Sequence, residues 1–282
     1  MTQKTALVTG GSAGIGYAVA KQLLEQGFAV ILTSRSRERA EDAATRLNGQ
    51  LSDTPAAKGL ALDLTDLHSV TGLIESVAAG KQSIDYLVTN AGVKIERPYR
   101  KTAQGFEWHY GINHLGHYLL ARELANAGNH FHLTTVASIV ARIGDPKKWQ
   151  IHDIDVGASS QYAASKLANL VLAQAVALKI PAWSANLTAS AAHPGFTKAE
   201  PYGTAVTRVG ETLLAQNCEA GALPIVAAVT SADGASDFQY LGPKLFELWG
   251  GPARAKVPKA ATAYLAQKLV AISEEQLARA GF

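Results

Sequence analysis

The stretch Thr9-Gly10-Gly11-Ser12-Ala13-Gly14-Ile15-Gly16, placed between an apolar strand pattern and a helix pattern, does most to narrow the folds open to this chain. Glycines at 10, 14 and 16 permit a tight turn, let the backbone approach a pyrophosphate, and leave that charge against a helix N-terminus. A lone glycine loop carries little weight. Here the strand Thr5–Thr9 precedes it and the helix Ile15–Gln26 follows, which is the context that dinucleotide binding requires.

Downstream, short β-branched or apolar runs alternate with longer helical patterns, the rhythm of a parallel sheet covered on both faces. Strands are predicted at Thr5–Thr9, Ala29–Thr33, Leu60–Leu62, Tyr86–Thr89, Phe131–Val136 and Leu187–Ala192. Helices are predicted at Ile15–Gln26, Arg37–Leu47 with Ser36 as its cap, Leu67–Ala79, Thr102–Asn126, Ser160–Ile180 and around Ala205–Ser231, with a charged helix at the C-terminus. The fold class is therefore α/β: a doubly wound parallel sheet in a Rossmann-type three-layer α/β/α arrangement. No linker or repeat divides the 282 residues, so residues 1–282 are expected to form a single domain. Segments around 143–159 and 197–216 would shape a substrate pocket, with a C-terminal extension around 239–282.

A formal net charge of +3 spread without a basic stripe gives no support to a nucleic-acid partner. The single Cys218 excludes an intramolecular disulfide framework and a thiolate metal site, and suits a reducing compartment, so the expected location is the cytoplasm. Cys218 itself is expected to be a small core residue. No signal peptide is recognised, and the apolar run 220–229 is about half of what a bilayer needs, so no membrane span is expected.

The second strand ends at Thr33-Ser34-Arg35-Ser36-Arg37, without the carboxylate that would favour NAD. Arg35, with Ser34 and Arg37, suits a ribose 2′-phosphate, so NADP(H) is the expected cofactor, with Ser12 and Ile15 in the phosphate turn. Asp63-Leu64 is placed either at the adenine edge or as a helix cap. Asn90-Ala91-Gly92 closes the fourth strand with small residues at the sheet edge where ligands bind.

Tyr162 and Lys166 are four residues apart on one helix and face the same way. A phenol with an ordinary pKa of about 10 is a weak acid, and the neighbouring ammonium would lower it. Ser138, at the end of another strand, would hydrogen-bond a developing alkoxide, and Asn113 could kink its helix and anchor a water linking Lys166 to bulk solvent. His114 and His117 lack a third partner of suitable spacing, so no metal is expected. Trp149, Phe196, Tyr202 and Trp249 are candidates for the substrate pocket, with core packing the alternative for each, and His193 stands beside the cofactor turn.

Taken together, the Thr-Gly-x-x-x-Gly-Ile-Gly turn, Asn90-Ala91-Gly92, the Asn113/Ser138/Tyr162/Lys166 tetrad and Pro194-Gly195 resemble the short-chain dehydrogenase/reductase family along nearly the whole chain. Ile112-Asn113-His114-Leu115-Gly116-His117-Tyr118, Ser165-Lys166-Leu167-Ala168-Asn169 and Tyr240-Leu241-Gly242-Pro243 look like its retinol dehydrogenase and WW-domain oxidoreductase-like branch. The resemblance implies Tyr162 as proton donor or acceptor, Lys166 as its modulator and ribose ligand, Ser138 as the substrate-orienting hydroxyl and Asn113 as water anchor. It also implies that Thr197 contacts the nicotinamide carboxamide and that long helices build a homodimer. Val136-Ala137-Ser138 departs from the usual Ser-Ser pair, and the membrane anchor of many animal retinol enzymes is missing.

The expected activity is NADPH-dependent reduction of a ketone or aldehyde, reversibly, on a bulky and mostly apolar substrate. The alternative is a non-catalytic NADP-binding sensor or scaffold of the same fold, which the intact tetrad disfavours. A nucleotide-sugar epimerase is disfavoured by Arg35, and a light-dependent protochlorophyllide reductase by the position of the single cysteine.

Overall fold

Strands that pair in parallel must be joined by crossovers, and the helices of those crossovers bury both faces of the sheet. The computed structural model describes residues 3–51, 54–198, 214–231 and 238–282. Eight strands make one sheet in the order β3-β2-β1-β4-β5-β6-β7-β8. The first six are β1 (Thr5–Val8), β2 (Ala29–Ser34), β3 (Ala57–Ala61), β4 (Tyr86–Thr89), β5 (His132–Val136) and β6 (Thr188–Ala192). They and β7 (Gln239–Leu245) pair in parallel; β8 (Trp249–Arg254) closes the edge as an antiparallel hairpin with β7. The strand order reverses between β1 and β4, the switch point at which open α/β sheets bind ligands.

Alternate side chains of β1 show how the layers form. Leu7 packs with α3 (Leu67–Ala79), α5 (Gly116–Asn126), α6 (Ala158–Ala177) and α8 (Ala263–Arg279). Ala6 and Val8 pack on the other face with α1 (Gly14–Glu25), α2 (Arg37–Gln50) and α7 (Cys218–Thr230). Ser36 caps α2 as expected, accepting the Arg39 N–H.

Some boundaries differ from the sequence pattern for local reasons. The third strand starts at Ala57, ahead of the expected Leu60. Residues 102–107, expected to be helical, instead form a turn in which Lys101 and Glu107 make a β-bridge and the Thr102 N–H goes to the Phe106 carbonyl, so α4 (Trp108–Tyr110) begins late. Between α4 and α5 the chain passes through a π-helical turn at Gly111–Leu115, which places the expected irregularity at Asn113. In the segment expected as a helix over 205–231, α7 starts at Cys218 under an Asn217 cap; residues 205–213 lie outside the described residues. Strands β7 and β8 were not expected, because Gly242, Pro243, Gly250, Gly251 and Pro252 erase the alternation by which a strand is recognised.

The C-terminal helix α8 buries Leu265, Leu269 and Ile272 and lies along α6. Its Ser273 Oγ meets His114 Nε2 at 3.0 Å, and its Glu274 accepts the Tyr118 hydroxyl at 2.6 Å and pairs with Arg122 at 2.8 Å. The helices offered by the sequence for a homodimer are thus covered in part by the chain's own last helix. Leu269→Ala, which empties a fully buried position on α8, is expected to lower the unfolding free energy by about 2–5 kcal/mol in urea titration. A loss below about 0.5 kcal/mol would show that α8 lies outside the cooperative core.

Candidate active site

The glycine turn sits at the switch point. Gly14 has φ +57° with open space where a side chain would stand, and a Cβ at Gly16 would overlap the Gly10 carbonyl oxygen and Asn90 Nδ2. Ala13, the residue preceding α1, has no side-chain oxygen, so no cap takes the first-turn N–H groups and they remain open to an anion. Asn90 Nδ2 donates to the carbonyls of Thr9 and Gly10 at 2.9 and 3.4 Å, and the Ala91 N–H donates to Thr9 Oγ1 at 3.0 Å. These bonds fasten the Asn90-Ala91-Gly92 end of β4 to the turn, beside half-buried Ser12 and Ile15. The donor set, an uncapped helix start with glycines where a phosphate would press, fits a nicotinamide dinucleotide.

At the end of β2, Ser34 is half-buried; Arg35 is exposed and enters no ion pair with a described residue. Arg37 instead pairs with Glu41 along α2 at 3.8 Å. Arg46, which sequence reasoning missed, donates to the Ser12 carbonyl at 3.2 Å and lies 5.3 Å over the Tyr17 ring. Asp63 Oδ1 accepts the Thr65 N–H at 3.0 Å, while Leu64 is buried against Gly116 and Asp66 caps α3.

Ser138, Tyr162, Lys166 and Asn113 converge at the carboxyl ends of β4 and β5. Lys166 is buried, donates to the Val136 carbonyl at 3.0 Å, and has its Nζ 5.9 Å from the centre of the Tyr162 ring. Burial, helped by the charge of Lys94, holds its pKa down to about 8. Burial raises the Tyr162 phenol above its ordinary value, and its hydrogen bond to the Ser138 hydroxyl pulls the other way. Desolvation is therefore the larger influence on the phenol.

Asn113 spends its side chain on structure: Oδ1 accepts the Val93 N–H at 2.8 Å, and Nδ2 donates to the Val93 carbonyl at 3.1 Å and to Ser165 Oγ at 2.9 Å. Ser165 in turn donates to the Tyr162 carbonyl at 2.8 Å. The Asn113 carbonyl is met by His117 Nδ1 at 3.0 Å, and His117 Nε2 meets Thr9 Oγ1 at 2.9 Å. A carbonyl only accepts, so the neutral ring carries its proton on Nδ1 and Nε2 accepts the threonine hydroxyl. Burial holds His117 down to about 4, which keeps that form at neutral pH. Sequence reasoning set His117 aside as a metal ligand and read it as an ordinary polar or half-buried position. His114 is bonded to Ser273, and among the described residues no three His, Cys, Asp or Glu side chains converge on a metal site.

After β6, Thr197 is buried, with its hydroxyl donating to the Pro194 carbonyl at 2.6 Å and meeting Gln216 Nε2 at 3.3 Å. Buried His193 accepts the Gly195 N–H at 3.3 Å and meets Glu247 at 3.2 Å, while Glu247 also pairs with Arg142. That ties the Pro194-Gly195 turn to the β7–β8 hairpin. Glu247 had no sequence signal, because its strand context was not recognised.

Beside Tyr162 lies a cavity of about 350 Å³ whose walls come from residues 96–100, 107–109 and 155–161. The His109 and Tyr162 rings meet edge to face with centroids 6.4 Å apart. The segment 143–159 thus contributes Asp155, Gly157 and Ala158 to it. Trp149 does not line a pocket: it is wholly buried, with its Nε1 donating to the Ala164 carbonyl at 2.9 Å. Phe196 is half-buried and Trp249 donates to the Leu214 carbonyl at 2.6 Å; Tyr202 and residues 199–213 of the second pocket segment lie outside the described residues. Cys218 is half-buried, with its thiol against the Lys198 carbonyl.

Comparison with known proteins bears on the family and the fold. Residues 4–207 match the family described as short chain dehydrogenase. Human Retinol dehydrogenase 14 is 33% identical over 214 residues, covering 70% of this chain and 63% of that protein. The short chain dehydrogenase/reductase dpchH of Colletotrichum higginsianum is 30% identical over 94% of this chain and 73% of its own length. The chain thus spans rather less than two thirds of the length of the retinol dehydrogenases it matches. Among solved structures, an uncharacterized protein from Mycobacterium Paratuberculosis superposes with a TM-score of 0.74 at 28% identity, covering 97% of this chain and 93% of that one. A metagenomic short-chain oxidoreductase in complex with NADP superposes with a TM-score of 0.60 at 23% identity, covering 86% and 98%, a likeness of fold. On sequence and fold, the chain belongs to the short-chain dehydrogenase/reductase family of oxidoreductases, a family that binds a nicotinamide cofactor, and within it to the retinol dehydrogenase branch.

Proposed function

We propose that this chain is an NADPH-dependent carbonyl reductase that converts a ketone or aldehyde to the alcohol, and runs in reverse when alcohol and oxidised cofactor are supplied. The observation that carries the reading is the convergence of Ser138, Tyr162 and Lys166 beside the glycine turn at the switch point. Gly14, Ile15 and Gly16 at the start of α1 would hold the pyrophosphate. Arg35, exposed and without an ionic partner among the described residues, would take the 2′-phosphate. When bound, NADPH supplies the hydride. Tyr162 gives its phenolic proton to the carbonyl oxygen, Ser138 holds that oxygen by a hydrogen bond, and Lys166 stabilises the phenolate that results. A reducing cytoplasm suits the lone Cys218. No described helix is long and apolar enough to cross a membrane.

Four outcomes test this reading. Absorbance of reduced nicotinamide should fall on mixing with NADPH and a panel of aryl ketones, aliphatic ketones and aldehydes. Tyr162→Phe should then lose about 10²–10⁴-fold in kcat with NADPH affinity retained; near-native turnover by folded Tyr162→Phe would remove the proton-transfer role. Arg35→Ala should weaken NADPH by about 10–100-fold, as loss of a charge-assisted bond does, and leave NADH nearly unchanged; equal weakening of both would refute a 2′-phosphate contact.

The fourth concerns Lys166, whose folded pKa of about 8 lies below its ordinary value of 10.5. Between those values the unfolded chain binds more protons, so stability should rise with pH through that window, and the burden carried at neutral pH is about 3 kcal/mol. Lys166→Met should therefore flatten the rise and stabilise the fold at pH 7 while abolishing turnover. A variant less stable than the parent at pH 7 would show that the bond to Val136 outweighs the burial of the charge.

A further inference from the structure

The ends of β5 and β6 leave the sheet side by side. Val136 and Ala192 are register partners, and the Ala137 N–H donates to the Ala192 carbonyl at 2.8 Å. Beyond that bond the two segments part: Ser138 opens the short helical turn Ile139–Ile143, whereas the His193 N–H turns away to the Leu241 carbonyl at 2.9 Å. Among the described residues no backbone hydrogen bond joins them further on, although both lie at the carboxyl edge where such sheets bind ligands. One side chain bridges the gap. Glu247 Oε1 pairs with Arg142 of that helical turn and accepts the Lys256 N–H at 3.2 Å, and Oε2 meets His193 Nε2 at 3.2 Å. The histidine passes the hold on to the Pro194-Gly195 turn. Its Nδ1 accepts the Gly195 N–H, so the neutral ring carries its proton on Nε2 and gives it to the carboxylate. The ring is closely packed, since a Cβ at Gly242 would overlap Nε2 and the Tyr240 ring centre is 5.4 Å away. Tyr240 in turn donates its hydroxyl to the Ser138 carbonyl at 3.4 Å. Phe246 and Glu247 have φ of +52° and +59°, where a turn would favour glycine or asparagine, so the backbone does not account for a glutamate there.

We propose that Glu247 is a positioning residue for the reaction: by holding Arg142 with one oxygen and His193 with the other, it fixes the spacing between the Ser138 turn and the Pro194-Gly195 turn. A carboxylate offers an accepting oxygen to each of these donors, whereas an amide of the same shape has one oxygen and brings a donor of its own. If that oxygen goes to His193, the amide N–H faces Arg142; if it goes to Arg142, the N–H faces the imidazole N–H. Either way one tie is lost and the bridge opens. The glycine turn is stapled separately at the ends of β1 and β4, so dinucleotide affinity does not depend on Glu247. The inference rests on the carbonyl-reductase reading only for the reaction that the spacing serves.

Glu247→Gln is compared with the parent using NADPH or NADH, whichever the parent binds more tightly. For carbonyl reduction kcat should fall about 10–100-fold, what a misplacement of up to about 1 Å costs, while substrate KM, dinucleotide Kd and the urea midpoint stay close to the parent's. A residue that served the fold alone would move stability and affinity together with turnover, or move none of them. Arg142→Met opens the other end of the same bridge, so it should lose a similar factor, and the double variant should lose no more than either alone. A kcat within about twofold of the parent's, a fall matched by an equal rise in dinucleotide Kd, or losses that add in the double variant would overturn the proposal. Should Glu247→Gln fail to fold, Arg142→Met, at a half-buried position, decides by the same readings. Emission of the bound reduced nicotinamide gives a reading without turnover: in Glu247→Gln it should drop toward that of the free dinucleotide, because the Pro194-Gly195 turn no longer keeps its place. If the parent reduces no carbonyl, the reductase reading falls and this emission decides, a spectrum unchanged from the parent's overturning the role of Glu247. Reduction by both proteins at equal kcat would overturn that role and leave the reductase reading standing.

Discussion

The site depends on a staple between two strand ends. The Asn90 amide holds the carbonyls of Thr9 and Gly10, and the Thr9 hydroxyl takes the Ala91 N–H, so the carboxyl ends of β1 and β4 cannot separate at the point where strand order reverses. Gly16 is needed there for the same reason, since any side chain would strike both partners of that staple. His117 extends it to the π-helical turn, joining Thr9 to the carbonyl of Asn113. The cofactor turn and the irregular helix that carries Asn113 therefore move as one body.

Onto that body the fold adds an expense. Lys166 is a buried ammonium that donates to the Val136 carbonyl, lies over the Tyr162 ring and feels the charge of Lys94, and burial holds its pKa down. Apart from Gln161, Ser165 and Asn169, the other buried positions of α6 are hydrophobic and Lys166 is the one charge among them. A group that the core would reject, retained where a phenol and a serine meet, is what catalysis asks of a scaffold and what stability does not.

Much of this was legible in the residues. The glycine turn, the parallel strand rhythm and the Tyr162/Lys166 spacing each obey a local rule, and local rules survive folding. What escaped notice depends on distant partners. His117 reads as one more histidine until Thr9, separated by 108 positions, arrives beside it. Arg46 finds the Ser12 carbonyl only once helices and loops are packed. The β7–β8 hairpin hides because prolines and glycines break its alternation, and with it went Glu247 and its hold on His193. Trp149 illustrates the reverse, an aromatic residue in a pocket-forming segment that turned inward to the core.

The last helix carries a consequence for how the molecule is assembled. Gln276 on α8 donates to the Trp149 carbonyl and meets His152, whose other nitrogen accepts the Glu107 N–H. The loop leading into α6 and the floor of the cavity are thus held from a segment that leaves the ribosome after every element it supports. The glycine turn is held by bonds between the ends of β1 and β4, whereas the loop into α6 is held through α8, so the two sides of the site are steadied by different parts of the chain.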